Sequence, residues 1–215
     1  MLIFDYDGVI ADSLEYNLAI TNRACALAAS KARPATVEDL YELSSMSFDE
    51  LAGSIGVEPA EIHPCLVEIN RLLAIPNKQT KLFAGMAEVI RTIAQEHRLA
   101  IVSHNTEIAI DQVLSMYGLR HHFSDILGAE SPGNKTEQIS SLLEKYHVDS
   151  KKAYMVGDSV SDILSAQQAG VNSIAVSWGF QPIIRLKPAN PDFIVTHPEQ
   201  LSIPMAEDLR YAGGR

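Results

Sequence analysis

Four aspartates stand where carboxylates could do chemistry. Asp5 and Asp7 lie two apart in Asp5-Tyr6-Asp7-Gly8-Val9, and Asp158 and Asp162 lie four apart in Gly157-Asp158-Ser159-Val160-Ser161-Asp162. Asp5 and Asp158 each close a short apolar run that reads as a buried strand, Leu2 to Asp5 and Ala153 to Asp158. In a parallel sheet such strand ends share one edge, so the two pairs would converge. Clustered carboxylates repel one another unless they are protonated or bound to a cation. Hard oxygen ligands of this kind select Mg²⁺, which keeps waters and accepts a substrate phosphate. That arrangement suits phosphoryl transfer, with Asp5 as the attacking nucleophile and Asp7 as acid and then base. Gly8 would let backbone amides approach phosphate oxygens. Either pair alone reads equally well as a turn or a helix cap; the joint pattern favours a metal centre.

The elements that must position these groups alternate along the chain. Further strands are expected over Leu99 to Ser103, Phe123 to Gly128, Ser173 to Ser177 and Asp192 to Val195. Helical periodicity fills the gaps over Met86 to Gln95, Ile108 to Tyr117, Lys135 to Tyr146 and Asp162 to Ala169. The fold class is therefore α/β, a doubly wound parallel sheet covered on both faces. From Leu14 to Leu82 only helical patterns occur: Leu14 to Ala29, Val37 to Leu43, Phe48 to Ile55 and Ala60 to Leu73. This stretch reads as an inserted all-helical cap, 14–82, on a core made of 1–13 and 83–215. The loop Ile75-Pro76-Asn77-Lys78 follows its last helix, and a mobile tail is expected at Tyr211 to Arg215.

Bulk properties exclude several roles. The 215 residues carry a formal charge of −10, which repels nucleic acid. No run approaches a membrane span, and no leader pattern precedes Leu2. The two cysteines, Cys25 and Cys65, match neither a metal nor a redox motif and read as buried or half-buried thiols in a reducing cytoplasm. The expected partner is a small phosphorylated metabolite, and the chain is compatible with a monomer or a homodimer.

With these motifs in place, the sequence resembles the haloacid dehalogenase superfamily, in particular its phosphoglycolate-phosphatase-like branch with a helical cap. The resemblance rests on Asp5-Tyr6-Asp7-Gly8-Val9-Ile10 with Asp12-Ser13, on Ser103 ending the next core strand, and on Gly157 to Asp162. It implies Asp5 as nucleophile and metal ligand, and Asp7 as acid/base whose carbonyl also binds the metal. It implies Asp158 as a metal ligand and Asp162 as a ligand through water or a supporting partner. Ser103 and Asn105 would hold the phosphoryl group. The family's lone lysine is matched by Lys135, without the proline that usually follows it, as the charge facing Asp5 and the phosphate. His104, between Ser103 and Asn105, is either a further phosphate-site contact or a rim side chain.

Within the family, Asp7 favours phosphate esters, because dehalogenating and phosphonate-cleaving relatives lack an acid there. The resemblance thus implies a Mg²⁺-dependent phosphatase acting on a phosphoglycolate- or sugar-phosphate-like monoester through an aspartyl-phosphate. A β-phosphoglucomutase-like phosphotransferase is the alternative, since Glu15-Tyr16 resembles that branch; its following His is Asn17 here. A non-catalytic phosphate- or metal-binding module is the other. The cap would set substrate choice, hinged near 11–14 and 82–85. It carries nine acidic residues against the cations Arg23, Lys31, Arg33, Arg71, Lys78 and Lys81.

Overall fold

The computed structural model describes residues 1–75 and 80–202. Pro76, Asn77, Lys78 and the tail Tyr211 to Arg215 lie outside the described residues. The chain opens with β1 (Leu2–Phe4) and the short β2 (Ala11–Asp12). Four helices follow: α1 (Leu14–Ala28), α2 (Val37–Glu42), α3 (Phe48–Ser54) and α4 (Pro59–Leu73). Next come β3 (Lys81–Leu82), α5 (Met86–Ile93), β4 (Leu99–Val102), α6 (Glu107–Met116) and β5 (Phe123–Leu127). The chain continues with α7 (Lys135–Tyr146), β6 (Tyr154–Gly157), α8 (Val160–Ala169), β7 (Asn172–Val176), α9 (Ile183–Leu186) and β8 (Phe193–Val195).

Six strands form one parallel sheet in the order β5-β4-β1-β6-β7-β8. The chain builds outward from β1 to β4 and β5, then crosses back over β1 to lay down β6, β7 and β8. Strand order therefore reverses at β1, and the crevice beyond the carboxyl ends of β1, β4 and β6 is the place such a sheet offers a ligand. Alternation along β1 splits the interior in two. Leu2 and Phe4 pack with Met86, Ile90, Ile110 and Leu114 on one face. Ile3 packs with Ile139, Leu142 and Ala166 on the other. Truncating Phe4, which is wholly buried, to Ala would cost about 3–5 kcal/mol.

The helical stretch between β2 and β3 has apolar clusters of its own. Cys25, Leu40, Leu43, Leu51, Ile55 and Cys65 form one, and Ile20, Ala24, Ile69, Leu72 and Leu73 form another. Both cysteines are buried free thiols. The chain leaves and re-enters the core side by side, because β2 and β3 pair antiparallel through Ala11–Leu82 and Asp12–Lys81. These two-residue strands and α9 had no periodicity long enough to be read from sequence. Among the described residues no helix is long and apolar enough to cross a membrane.

Candidate active site

Five of the six expected strands ran one residue too long at their carboxyl ends, and that residue is the chemical one in three cases. Asp5, Ser103 and Asp158 each stand just beyond the ladder of β1, β4 and β6. Asp5 and Ser103 keep one sheet-like bond each, from their N–H groups to the carbonyls of Val156 and Leu127, both 2.9 Å. The backbone is thus anchored while the side chain is released over the sheet edge.

Asp5, Asp158 and Asp162 are buried, with one oxygen of each within 4.8 Å of the others. Lys135 enters from the first turn of α7. Its Nζ donates to Asp162 Oδ1 at 2.6 Å and lies 3.2 Å from Asp5 Oδ2. The helix start at Lys135 is fixed by a capping box, in which Asn134 and Glu137 each accept from the other's backbone. Asp162 is also held at its second oxygen, which accepts from Ser159 N at 3.1 Å and Ser159 Oγ at 2.6 Å. Asp158 Oδ2 accepts from Phe180 N at 2.6 Å, and Asp158 makes no ion pair among the described residues. Gly8 has φ +77°, and a Cβ there would stand 1.9 Å from Asp158 Oδ2. The glycine is needed so that the Asp5–Asp7 loop can close on Asp158. Its own N–H donates to Ala11 O at 2.9 Å.

Asp7 is tied by three donors. Ser13 Oγ donates to its Oδ1 in a short contact, joined by Asn17 Nδ2 at 3.0 Å, and Asn105 Nδ2 donates to Oδ2 at 2.9 Å. The Asn105 side chain thus faces Asp7, while its Oδ1 accepts from Thr106 N at 2.8 Å. Ser103 Oγ is buried and accepts from Asn105 N at 3.2 Å. Sequence reasoning noted Ser13 and Asn17 without giving them this task. Their i, i+4 spacing at the start of α1, on one helix face, was the available signal.

Four carboxylates face a single ammonium here, and the electrostatics show the strain. Burial, opposed by Lys135 and reinforced by Asp162 and Asp7, pushes Asp5 up to about 7. Burial also raises Asp7, against the hydrogen bonds from Ser13, Asn105 and Asn17. Burial and then the charges of Asp162 and Asp5 lift Asp158 well above the carboxylate range. Lys135 is raised, because Asp162 and Asp5 together outweigh its burial. A buried, all-oxygen, over-negative cluster of this kind fits a hard divalent cation, which would reverse each carboxylate shift.

A small cavity of about 50 Å³ opens over these groups. The sheet side of its wall is Asp5, Asp7, Ser103, His104, Asn105, Asp158 and Phe180. The helical stretch supplies Asn17, Leu18, Leu40, Met46, Ser47, Phe48 and Leu51. The loop from Leu43 to Ser47 is gripped from below: Gln181 Nε2 donates to Leu43 O at 2.9 Å, and Ser161 Oγ to Ser45 O at 3.4 Å. Glu50 holds it from within, accepting from the N–H and Oγ of both Ser44 and Ser45. In that turn Met46 takes φ +55°, a left-handed backbone that costs a non-glycine residue roughly 1–2 kcal/mol. His104 is half-buried against the Ser45 backbone. Burial and the nearby Lys135 charge push its imidazole down to about 4, so it is neutral at pH 7.

Comparison with known proteins agrees with this fold. A family model described as haloacid dehalogenase-like hydrolase matches residues 2–176. The chain is 28% identical over 201 residues to a phosphoglycolate phosphatase of Synechococcus elongatus, covering 93% of this chain and 94% of that one. It is 29% identical over 207 residues to a phosphoglycolate phosphatase of Vibrio cholerae, covering 90% and 91%. Among solved structures, a haloacid dehalogenase-like family hydrolase from Streptococcus pneumoniae superposes with TM-score 0.76 at 18% identity, covering 93% and 95% of the two chains. A predicted phosphatase from Clostridium acetobutylicum superposes with TM-score 0.81 at 19% identity, covering 94% and 95%.

Proposed function

Because this chain belongs to the haloacid dehalogenase-like hydrolase family, we propose that it hydrolyses a small phosphate monoester through an aspartyl-phosphate on Asp5. It is a phosphatase of the phosphoglycolate-phosphatase-like branch, and the relatives named above match it over nearly their whole length. The observation that carries the mechanism is the joint placement of Asp5, Asp7 and Asp158 at one cavity edge, with Lys135 Nζ 3.2 Å from Asp5.

Asp5 attacks phosphorus, and the P–O bond to the leaving alcohol breaks as the P–O bond to Asp5 forms. Asp7 supplies the proton that the leaving oxygen takes. A carboxylate has about four lone-pair sites. Ser13 and Asn17 use those of Oδ1, and Asn105 uses one of Oδ2. The remaining site on Oδ2 is where we place the proton. In the second half Asp7 takes a proton from water, the hydroxide attacks phosphorus, and Asp5 leaves with its carboxylate restored. The raised pKa of Asp7 suits an acid that must be protonated near neutrality. Lys135 offsets charge on Asp5 and on the phosphoryl oxygens, and Ser103 holds one of those oxygens. Asp5, Asp158 and the Asp7 carbonyl would hold Mg²⁺, with Asp162 keeping Lys135 and the metal-site loop in place. Bound there, Mg²⁺ would shield the nucleophile from the anionic phosphoryl group and neutralise transition-state charge.

Residues 14–82 act as the cap in this reading, closed over the sheet edge to keep bulk water out. Asn17 stands where the mutase-like relatives have His, and its amide is engaged by Asp7. That supports transfer to water over transfer to a second sugar hydroxyl. The test is Mg²⁺-dependent phosphate release from an aryl phosphate. Wild type should release phosphate and Asp5→Asn should not; equal release by both would sink the assignment.

A further inference from the structure

The wall that faces the leaving group is the informative part of the cavity. Among the described residues, those of the helical stretch that line it are Leu18, Leu40, Met46, Phe48 and Leu51, with Asn17 and Ser47. Its two polar members are tied through one group each, and Asn17 Oδ1 is buried without a hydrogen-bond partner. Asn17 Nδ2 donates to Asp7, and Ser47 Oγ shares a hydrogen bond with Ser45 Oγ at 2.8 Å and accepts from Glu50 N. Among the described residues, no cation of the helical stretch lines the cavity. Arg23 and Lys31 are exposed, and Arg33 and Arg71 are exposed and paired with Asp39 and Glu68. Lys81 borders a different groove, with Asp12 and Glu15. On the sheet side Lys135 is held by Asp5 and Asp162, and burial and the Lys135 charge lower His104 to about 4.

The placement of Met46 is costly and therefore informative. The turn held by Glu50 sets this residue in a left-handed backbone where it lines the cavity, and its side chain is apolar and adaptable. A carboxylate or a second phosphate on the leaving group would be buried against these residues with no cation of this wall, among the described residues, to neutralise it.

We propose that the substrate is the phosphate monoester of a small, uncharged and largely apolar alcohol, with Met46 and Phe48 as specificity-determining residues. This rests on the phosphatase reading and narrows it. The leaving group is then unlike the carboxylate-bearing glycolate in the names of the curated relatives.

The experiment compares 2-phosphoglycolate with propyl phosphate, of similar size, on the full chain with Mg²⁺. Propyl phosphate should have the higher kcat/KM by about 100-fold, the penalty for an unpaired carboxylate in an apolar pocket. Binding of both compounds to Asp5→Asn, read by calorimetry, should show the same order without turnover. Met46→Lys should narrow the ratio by at least about tenfold by offering a partner to the carboxylate, and Met46→Leu should keep it. Equal or better use of 2-phosphoglycolate by wild type overturns the proposal, as does tighter binding of it to Asp5→Asn. If neither compound turns over but Asp5→Asn still prefers propyl phosphate, the substrate class stands and the phosphatase reading fails.

Discussion

Replacing Ser13 by Ala should move the pH dependence of the reaction without disturbing the fold. Ser13 is buried, and its hydroxyl donates to Asp7 Oδ1. It stands at the N-cap of α1, yet that hydroxyl makes no cap hydrogen bond. The cost of about 1 kcal/mol usual for losing a capping hydroxyl should therefore be largely absent. The loss falls on Asp7 instead. A hydrogen bond to a charged group contributes about 1.5–3 kcal/mol, and 1.36 kcal/mol corresponds to one pKa unit. The bond favours the carboxylate, so removing it favours the protonated acid, while Asn17 and Asn105 remain to keep the side chain in place. In kcat/KM for an alkyl phosphate, Asp7 works as the acid, and activity declines as pH rises through its ionisation. That declining limb should move to higher pH by about one to two units in Ser13→Ala. The assay is kcat/KM for propyl phosphate across pH 5 to about 10, with thermal denaturation run beside it. An unmoved high-pH limb in a normally folded variant would refute the role given to Asp7, or the claim that Ser13 tunes it.

Two further outcomes follow from the same geometry. Asp5 is raised to about 7 in the folded chain, so between its unfolded value and that pH the folded state binds the extra proton. The metal-free protein should then lose stability as pH rises from about 4 to 7, by roughly 4 kcal/mol at most, and Mg²⁺ should raise Tm more at pH 8 than at pH 5. A Tm gain independent of pH would argue against a metal held by these carboxylates. Gly8→Ala should displace Asp158, because the added Cβ meets Asp158 Oδ2 at 1.9 Å and the backbone at φ +77° disfavours any side chain. Activity should fall by about 100-fold or more, with a stability loss of about 1–3 kcal/mol, and saturation should need higher Mg²⁺; unchanged Mg²⁺ dependence would contradict the close approach.

The sequence by itself determined which segments become strands and helices, and which carboxylates meet. Period-two and period-3.6 patterns are local properties, so Lys135–Tyr146 was legible to the residue. Short apolar runs ending in Asp5, Ser103 and Asp158 must share one edge once the sheet is parallel. What only the tertiary structure decided are the partners each side chain takes. Asn105 and Asp7 are 98 positions apart, and nothing in either segment says that the amide turns to Asp7. Asp162 could have capped α8 and done no more; it also receives Lys135, because α7 and α8 lie side by side on one sheet face. The β2–β3 ribbon is too short to carry a pattern and exists because both crossings between core and helices occur at one place. The opening Asp5-Tyr6-Asp7 was readable as chemistry from residue types alone. The apolar wall above it, with Met46 in a left-handed turn, was not. It depends on how a distant loop is held by Glu50 and Gln181, a matter of packing and not of local propensity.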